Sequence, residues 1–190
     1  MPEEGDRLLA LVYRLAPHRF HRGAASAAAR LGRRLLDVGG GAGHLARALE
    51  ELGATPLLYV AADPDPLLLR QAAARPWAER VIAVGEALPL RSGSMDVAVF
   101  HDSLHHIPRP WEALREAARV ARCILVDDVD ASSLPGRLVR LLERLSGYPA
   151  TFTTPGRLVE ELERLGLEVL QVSKGGLPGG YRVAACRRRI

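Results

Sequence analysis

Lysine is almost absent from this 190-residue chain: Lys174 is the only one, and arginine supplies nearly all of the positive charge. Aromatic residues make up only 5% of the sequence, so there is little material for the stacking surfaces that bind single-stranded nucleic acids. The net charge of +4 permits an RNA or acidic-metabolite partner without requiring one. We interpret the arginine excess as codon bias or heat adaptation, and a nucleic-acid groove is not favoured.

Cysteines and long apolar runs are scarce as well. Cys123 and Cys186 lie far apart and lack metal-ligand spacing, so we expect two free thiols in a reducing cytoplasm. No apolar run approaches the roughly 18 residues that a membrane helix needs. The first residues, MPEEGDR, lack the layout of a signal peptide. Together with an ordinary content of 48% hydrophobic residues, these absences predict one cytoplasmic globular domain over residues 1–190.

The chain is organised around residues 35–49, LLDVGGGAGHLARAL. An apolar strand runs through a glycine turn into an amphipathic helix, which is how open α/β sheets form ligand sites. The dinucleotide fingerprint needs glycine at position 44, where this chain has His44, and no Walker lysine is present. Glycine turns at helix N-termini hold phosphate-bearing or nucleotide-like ligands. The turn therefore predicts a nucleotide-like cofactor.

Acidic residues follow the next two apolar segments. Asp63 ends the strand predicted over Pro56–Ala62 and lies about 20 positions beyond the turn, where such sites hold a ribose-binding carboxylate. Asp65 precedes Pro66, a pattern that predicts a helix N-cap. Glu86 follows the strand predicted over Val81–Val84.

The order of these motifs resembles that of the class I S-adenosylmethionine (SAM) dependent methyltransferases, especially the small-molecule and quinone-biosynthesis-like group. D-x-G-x-G-x-G matches their first motif, Asp96 opens a fourth strand over Val97–Phe100, and a loop ending in LHHI follows. WEALREAARVA and CILVD match the next helix and the fifth strand, so the likeness covers residues 35–128. It implies an α/β, Rossmann-like class I methyltransferase fold. Its seven-stranded, mostly parallel sheet would have helices on both faces and an antiparallel edge strand.

The resemblance also implies a cofactor and its contacts. The cofactor is SAM, and the product is S-adenosylhomocysteine (SAH). Asp37 would support the methionine ammonium group through the turn, Asp63 would bind the ribose, and Glu86 would bind the adenine amino group. The implied cofactor-binding residues are Asp37, Gly39, Gly41, Gly43, Asp63, Pro64, Glu86, Ala87 and His101.

His105, His106 and Asp102 are the catalytic candidates. An imidazole titrates near neutral pH and can take a proton from the acceptor, although a loop-structuring role for the two histidines is an equal alternative. A divalent metal site is another alternative for these residues. Asp127 and Asp128 would join the histidines and Asp102 at the carboxyl edge of the sheet, where catechol-type methyltransferases hold a metal with carboxylates. We expect no metal. The chain lacks the Asn/Asp-Pro-Pro-aromatic motif of base methyltransferases, which makes DNA-base methylation a disfavoured function.

The remaining sequence completes a single methyltransferase domain. We assign residues 1–34 to a cap helix and basic leader, 35–128 to the SAM-binding core, 129–166 to a candidate lid and helices, and 167–190 to a closing hairpin. The sequence thus predicts a SAM-dependent enzyme acting on an unidentified small metabolite. The alternatives are an RNA or protein methyltransferase and a non-catalytic SAM-binding regulatory or scaffold protein. The oligomeric state is left open, with a dimer as one option.

Overall fold

The computed structural model describes residues 19–71, 77–145, 150–176 and 179–188. The helix predicted from Leu8 to Leu15 lies outside these residues. Seven strands and six helices are described; a short 3-10 turn (Leu104–His106) follows the fourth strand. The strands are β1 (Arg34–Val38), β2 (Leu58–Asp63), β3 (Ala78–Ile82), β4 (Met95–His101), β5 (Ala121–Val129), β6 (Glu168–Lys174) and β7 (Gly180–Cys186). The helices are α1 (Arg19–Leu31), α2 (His44–Glu51), α3 (Pro66–Gln71), α4 (Pro110–Val120), α5 (Leu134–Leu145) and α6 (Pro155–Arg164).

All seven strands form one sheet in the order β3-β2-β1-β4-β5-β7-β6. The first five strands in that order are parallel, and β7 runs antiparallel to both of its neighbours. The order reverses between β1 and β4, and the carboxyl ends of those strands open the crevice where α/β sheets bind ligands. The predicted mostly parallel sheet with a closing antiparallel hairpin is confirmed.

Helices cover both faces of the sheet. The central strands are apolar on both sides, as in the run Val97–Phe100, because each face is buried under helices. One apolar cluster packs α4 and α6 against the sheet, and the other packs α1 and α2 against the opposite face. Within the described residues, no helix is both long and apolar enough to span a membrane.

The third strand begins and ends earlier in the chain than the sequence pattern suggested. It covers Ala78–Ile82, whereas the apolar run favoured Val81–Val84. Among the described strands β3 pairs with β2 alone, so it is an edge strand of mixed polarity whose ends are poorly marked by hydropathy.

The expectation of two free thiols is wrong. Cys123 on β5 and Cys186 on β7 are directly opposite each other in the antiparallel register and form a disulfide. Their separation of 63 residues in sequence hid this proximity, which only the pairing of β5 with β7 creates.

Helix α5 occupies the predicted lid segment, but its leucines do not all face inward. Leu142 is buried, whereas Leu134, Leu138, Leu141 and Leu145 are exposed. The inward-facing side of α5 instead carries Glu143, which is fully buried.

Candidate functional site

The glycine turn joins β1 to α2 at the carboxyl edge of the sheet. Gly39, Gly41 and Gly43 have φ angles of 74°, 45° and 77°, all in the left-handed region. A Cβ on Gly41 would meet no atom closer than 3.8 Å, so the main chain there is open to a ligand. This openness suits a nucleotide-like group lying against the backbone.

The carboxylate of Asp63 holds the turn from the end of β2. Its Oδ2 accepts a hydrogen bond of 2.9 Å from the N–H of Gly41, and its Oδ1 accepts one of 2.8 Å from the N–H of Asp65. Asp65 in turn accepts from the N–H groups of Leu67 and Leu68, so its predicted role as the cap of α3 is confirmed. Pro64 is exposed beside this carboxylate. The predicted ribose ligand therefore also fixes the shape of the turn.

Asp37 lies beneath the turn and is almost fully buried. Burial raises its pKa to about 7; a hydrogen bond from the Tyr59 hydroxyl opposes that shift and the nearby Asp63 reinforces it. The hydroxyl donates to Oδ2 of Asp37 at 2.5 Å. Tyr59 was not among the predicted site residues, because a tyrosine in the middle of an apolar strand gives no signal of its partner.

Ser103 closes the other side of the turn. Its hydroxyl donates a 2.6 Å hydrogen bond to the carbonyl of Val38, the last residue of β1. A Cβ on Gly39 would lie only 2.6 Å from the Cβ of Ser103. Gly39 is therefore required both by its left-handed φ and by this close approach.

Three histidines meet next to the turn. Nδ1 of His21, on the leader helix α1, lies 2.7 Å from Nε2 of His101 at the end of β4. The His21 ring stacks on His44, with the ring centroids 4.9 Å apart. Burial, reinforced by the charge of His21, lowers the pKa of His101 to about 3, so His101 is neutral at physiological pH. The described part of the basic leader therefore contacts the end of β4 next to the glycine turn.

His105 lies between two buried carboxylates. Its Nδ1 is 2.5 Å from Oδ1 of Asp128, its Nε2 is 3.4 Å from Oε1 of Glu143, and its ring stacks on Phe152. Burial disfavours the charged imidazole, but the carboxylate of Asp128 outweighs it and holds the pKa of His105 well above the usual range. The same ion pair overcomes burial at Asp128 and lowers the pKa of that carboxyl.

His106 lies beside His105, with the ring centroids 4.0 Å apart, and 40% of its side chain is exposed. Its Nε2 lies 3.9 Å from Oε1 of Glu143. Burial lowers the pKa of His106, and the neighbouring charge of His105 lowers it further. Of the two predicted catalytic histidines, only His106 presents its ring to solvent.

Asp102, the third catalytic candidate, is the one described non-glycine residue with a positive φ, at 54°. Its N–H donates to the carbonyl of Asp127, which fixes the bend after β4. Burial raises the pKa of Asp102 to about 7, and no described residue forms a hydrogen bond with its shielded Oδ1. Asp127 itself pairs with Arg182 of β7 and accepts from its Nε.

The two residues predicted to bind adenine, Glu86 and Ala87, form hydrogen bonds within the protein. Oε1 of Glu86 accepts a 3.2 Å hydrogen bond from the N–H of Arg109, just before α4. The N–H of Ala87 donates to the carbonyl of Val84. The adenine contacts stay a prediction from the resemblance.

The structure thus brings the predicted residues of β1, β2 and β4 to one edge of the sheet, next to several that sequence reasoning missed. The missed residues are His21, Tyr59, Ser103, Asp128 as a partner of His105, Glu143 and Phe152. Only Asp128 carried a signal, as an acid at the end of the fifth strand. Fold and glycine turn together define a Rossmann-like α/β protein whose candidate site lies at the switch point of its sheet.

Comparisons with known proteins show a likeness to methyltransferases. Residues 36–123 match the family model described as a methyltransferase domain. A methyltransferase from Mycobacteroides abscessus is 38% identical over 100 residues, which cover 48% of this chain and 36% of that protein. One from Mycolicibacterium gilvum is 35% identical over 123 residues, covering 61% of this chain and 47% of that protein. The matched residues are similar to a methyltransferase domain, and the chain spans less than half the length of these curated relatives.

Solved structures share the fold at low sequence identity. A SAM-dependent methyltransferase from Thermotoga maritima aligns with a TM-score of 0.72 at 21% identity, covering 90% of this chain and 91% of that one. A chain from the complex of the Haloferax volcanii Trm112 methyltransferase activator with a methyltransferase aligns with a TM-score of 0.77 at 14% identity, covering 100% and 98%. Magnesium protoporphyrin IX methyltransferase from Synechocystis with bound SAH aligns at 0.68 and 16% identity, covering 88% and 83%. The class I fold predicted from the sequence is confirmed.

Proposed function

We propose that this chain binds SAM at the glycine turn and transfers its methyl group to a small-molecule acceptor. The observation that carries the proposal is the open left-handed turn after β1, fixed by the carboxylate of Asp63 at the end of β2. SAM or SAH is bound in structures of the same fold, including the Synechocystis enzyme. SAM supplies an electrophilic methyl group when bound, so the protein has to orient it and manage the acceptor proton.

Each part of the turn has a task in this proposal. The main chain at Gly41 lies against the methionine portion, and Asp63 accepts from the ribose hydroxyls while it holds the turn. Asp37 supports the ammonium group through the turn, and His101 faces the methionine end as a neutral imidazole. Glu86 and Ala87 contact the adenine, and Pro64 flanks the ribose.

Asp102 is the proposed proton acceptor. Its raised pKa lies near neutrality, and its Oδ1 is not engaged by the described residues. A general base works best when its pKa is close to the operating pH. His105 is enclosed by Asp128 and Glu143, so we assign it the positioning of this loop; His106 is exposed toward the acceptor side.

A second candidate function is a catalytic subunit that works with an activator protein. The observation in its favour is the edge of the sheet: within the described residues β3 pairs with β2 alone, and exposed Ile82 on β3 lines a groove together with Pro66 of α3. One protein of the same fold was solved in complex with an activator. Light scattering of the purified chain tests for self-association, and co-purification with an added activator of this type tests for the complex.

Calorimetric titration of the full chain with SAM, SAH and NAD is the first test. Saturable binding of SAM or SAH without NAD supports the proposal, and NAD binding alone contradicts it. Asp63→Ala is expected to weaken SAM binding at least tenfold, since it removes a ligand and a brace of the turn. Asp65→Ala is the matched control, because it removes the α3 cap and leaves Asp63 in place. Its SAM affinity is expected to stay within about twofold of the wild type, whereas a tenfold loss corresponds to about 1.4 kcal/mol of binding free energy.

Methyl transfer from labelled SAM is then measured with metabolite extracts and with bulk RNA. Label in small molecules supports the proposed acceptor class. Label in RNA with steep salt dependence favours the RNA alternative. SAM binding without transfer to either extract identifies the regulatory or scaffold alternative.

A further inference from the structure

A cluster of metal-ligating atoms lies under α5, apart from the glycine turn. Glu143 is fully buried although it lies on a helix whose leucines are mostly exposed. Its Oε1 is 3.4 Å from Nε2 of His105 and 3.9 Å from Nε2 of His106. One ligand atom from each of the three residues lies within 4.8 Å of the other two. Two imidazoles and a carboxylate therefore converge on one small volume.

The spacing of these atoms fits a tetrahedral cation. Zinc bonds to imidazole nitrogen and carboxylate oxygen are about 2.1 Å long, so two ligands of a tetrahedral site lie about 3.4 Å apart. The two distances to Oε1 of Glu143 equal or slightly exceed that value. Both side chains are buried, so a cation between them would be shielded from solvent on this side.

Asp128 provides the second-shell support that metal-binding histidines need. Its Oδ1 pairs with Nδ1 of His105 at 2.5 Å, and its Oδ2 accepts from the backbone N–H of the same residue at 3.2 Å. A carboxylate on one ring nitrogen orients the other nitrogen toward a metal. Here the nitrogen left over is Nε2, which faces Glu143. The alternative trio of ligands is Asp102, His105 and Asp128. Nδ1 of His105 and Oδ1 of Asp128 are only 2.5 Å apart, which leaves no room for a cation between them.

The local charge also favours a cation. Two acidic side chains next to His105, those of Asp128 and Glu143, are buried. Burying carboxylates is costly, and coordination of a metal ion is one way to compensate that cost. The exposed ring of His106 gives an ion a path from solvent.

We propose that His105, His106 and Glu143 bind a divalent transition-metal ion of the zinc type, with a fourth position open on the side of His106. The ion links the loop after β4 to α5, because the two histidines lie on the loop and the glutamate on the helix. The sequence did not indicate this site, because Glu143 lies in a leucine-rich helix far along the chain from the histidines. This site is independent of the SAM site at the glycine turn.

The test uses the full chain after removal of metals by a chelator. Calorimetric titration with Zn²⁺ is expected to give one saturable site, and Co²⁺ is expected to produce the strong visible absorption of a tetrahedral complex. His106→Gln and Glu143→Gln are each expected to weaken Zn²⁺ binding at least tenfold. His44→Gln, a histidine outside the cluster, is the matched control and keeps wild-type affinity.

Two results would overturn the proposal: no saturable Zn²⁺ uptake by the wild type, or uptake that neither cluster variant changes. His106 is exposed, so His106→Gln keeps the test valid if Glu143→Gln fails to fold, which circular dichroism detects. SAM titration of the same samples separates the two proposals. Retained SAM binding without Zn²⁺ uptake removes the metal site alone, and Zn²⁺ uptake without SAM binding removes the proposed function alone.

Discussion

Replacing Gly39 by alanine places a methyl group 2.6 Å from the Cβ of Ser103 and 3.1 Å from its hydroxyl oxygen. Ser103 cannot move away easily, because it is buried and its hydroxyl is hydrogen-bonded to the carbonyl of Val38. Gly93 provides a matched control: its φ of 67° is close to the 74° of Gly39, but a Cβ there meets nothing within 4 Å. The two substitutions share the backbone cost and differ in the clash.

The backbone term is about 1–2 kcal/mol for a non-glycine residue in the left-handed region, and it applies to both variants. Overpacking adds about 1–3 kcal/mol at Gly39 alone. We therefore expect Gly39→Ala to lower the free energy of unfolding in urea by about 2–5 kcal/mol and Gly93→Ala by about 1–2 kcal/mol. The clash also displaces the turn, so Gly39→Ala is expected to lose at least tenfold in SAM affinity by calorimetry, and Gly93→Ala is expected to lose none. Equal stability and equal affinity in the two variants would refute this account of the turn.

Three further predictions follow from the buried charges and the disulfide. Asp128→Asn breaks the buried pair with His105 and is expected to lower the free energy of unfolding in urea by about 3–5 kcal/mol near pH 6. Since the pKa of His105 is raised, the stabilisation by the pair is full below about pH 6.5 and is lost as the pH rises further through that raised pKa. A destabilisation by Asp128→Asn that grows with pH contradicts the pairing. Methyl transfer is expected to rise as the pH passes through about 7, where Asp102 loses its proton, and Asp102→Asn is expected to abolish that rise; an unchanged profile removes Asp102 as the base. The unreduced, unfolded chain is expected to show no free thiols, and replacing both cysteines is expected to cost about 4 kcal/mol for a loop of this length; two titratable thiols would contradict the bond between Cys123 and Cys186.

The glycine turn and the central strands were predictable because their signals are local. The turn needs left-handed backbone at Gly39, Gly41 and Gly43, and only glycine adopts it readily, so the requirement is written in consecutive residues. Central strands buried on both faces must be apolar throughout, which marks β1, β4 and β5 as short hydrophobic runs. The cap of α3 by Asp65 is a contact between near neighbours in the chain and was found for the same reason.

The placement of the lid segment shows where such reasoning ends. Helical periodicity located α5 and grouped its leucines on one stripe, but it could not say which side of the helix the fold buries. The structure buries Leu142 and Glu143 and exposes Leu138 and Leu141. The buried carboxylate of Glu143 lies opposite His105 and His106, and nothing near Glu143 in the sequence indicates that proximity.

By itself, the sequence determined the fold class, the glycine turn and the positions of the acids that end the strands, since each depends on residues close together in the chain. The tertiary structure decided which distant side chains become partners. Cys123 meets Cys186 only because β5 pairs with β7, and His105 is held between carboxylates from β5 and α5. Hydrogen bonds and ion pairs act over a few ångströms, so contacts between distant parts of the chain exist only once the sheet has set which elements adjoin.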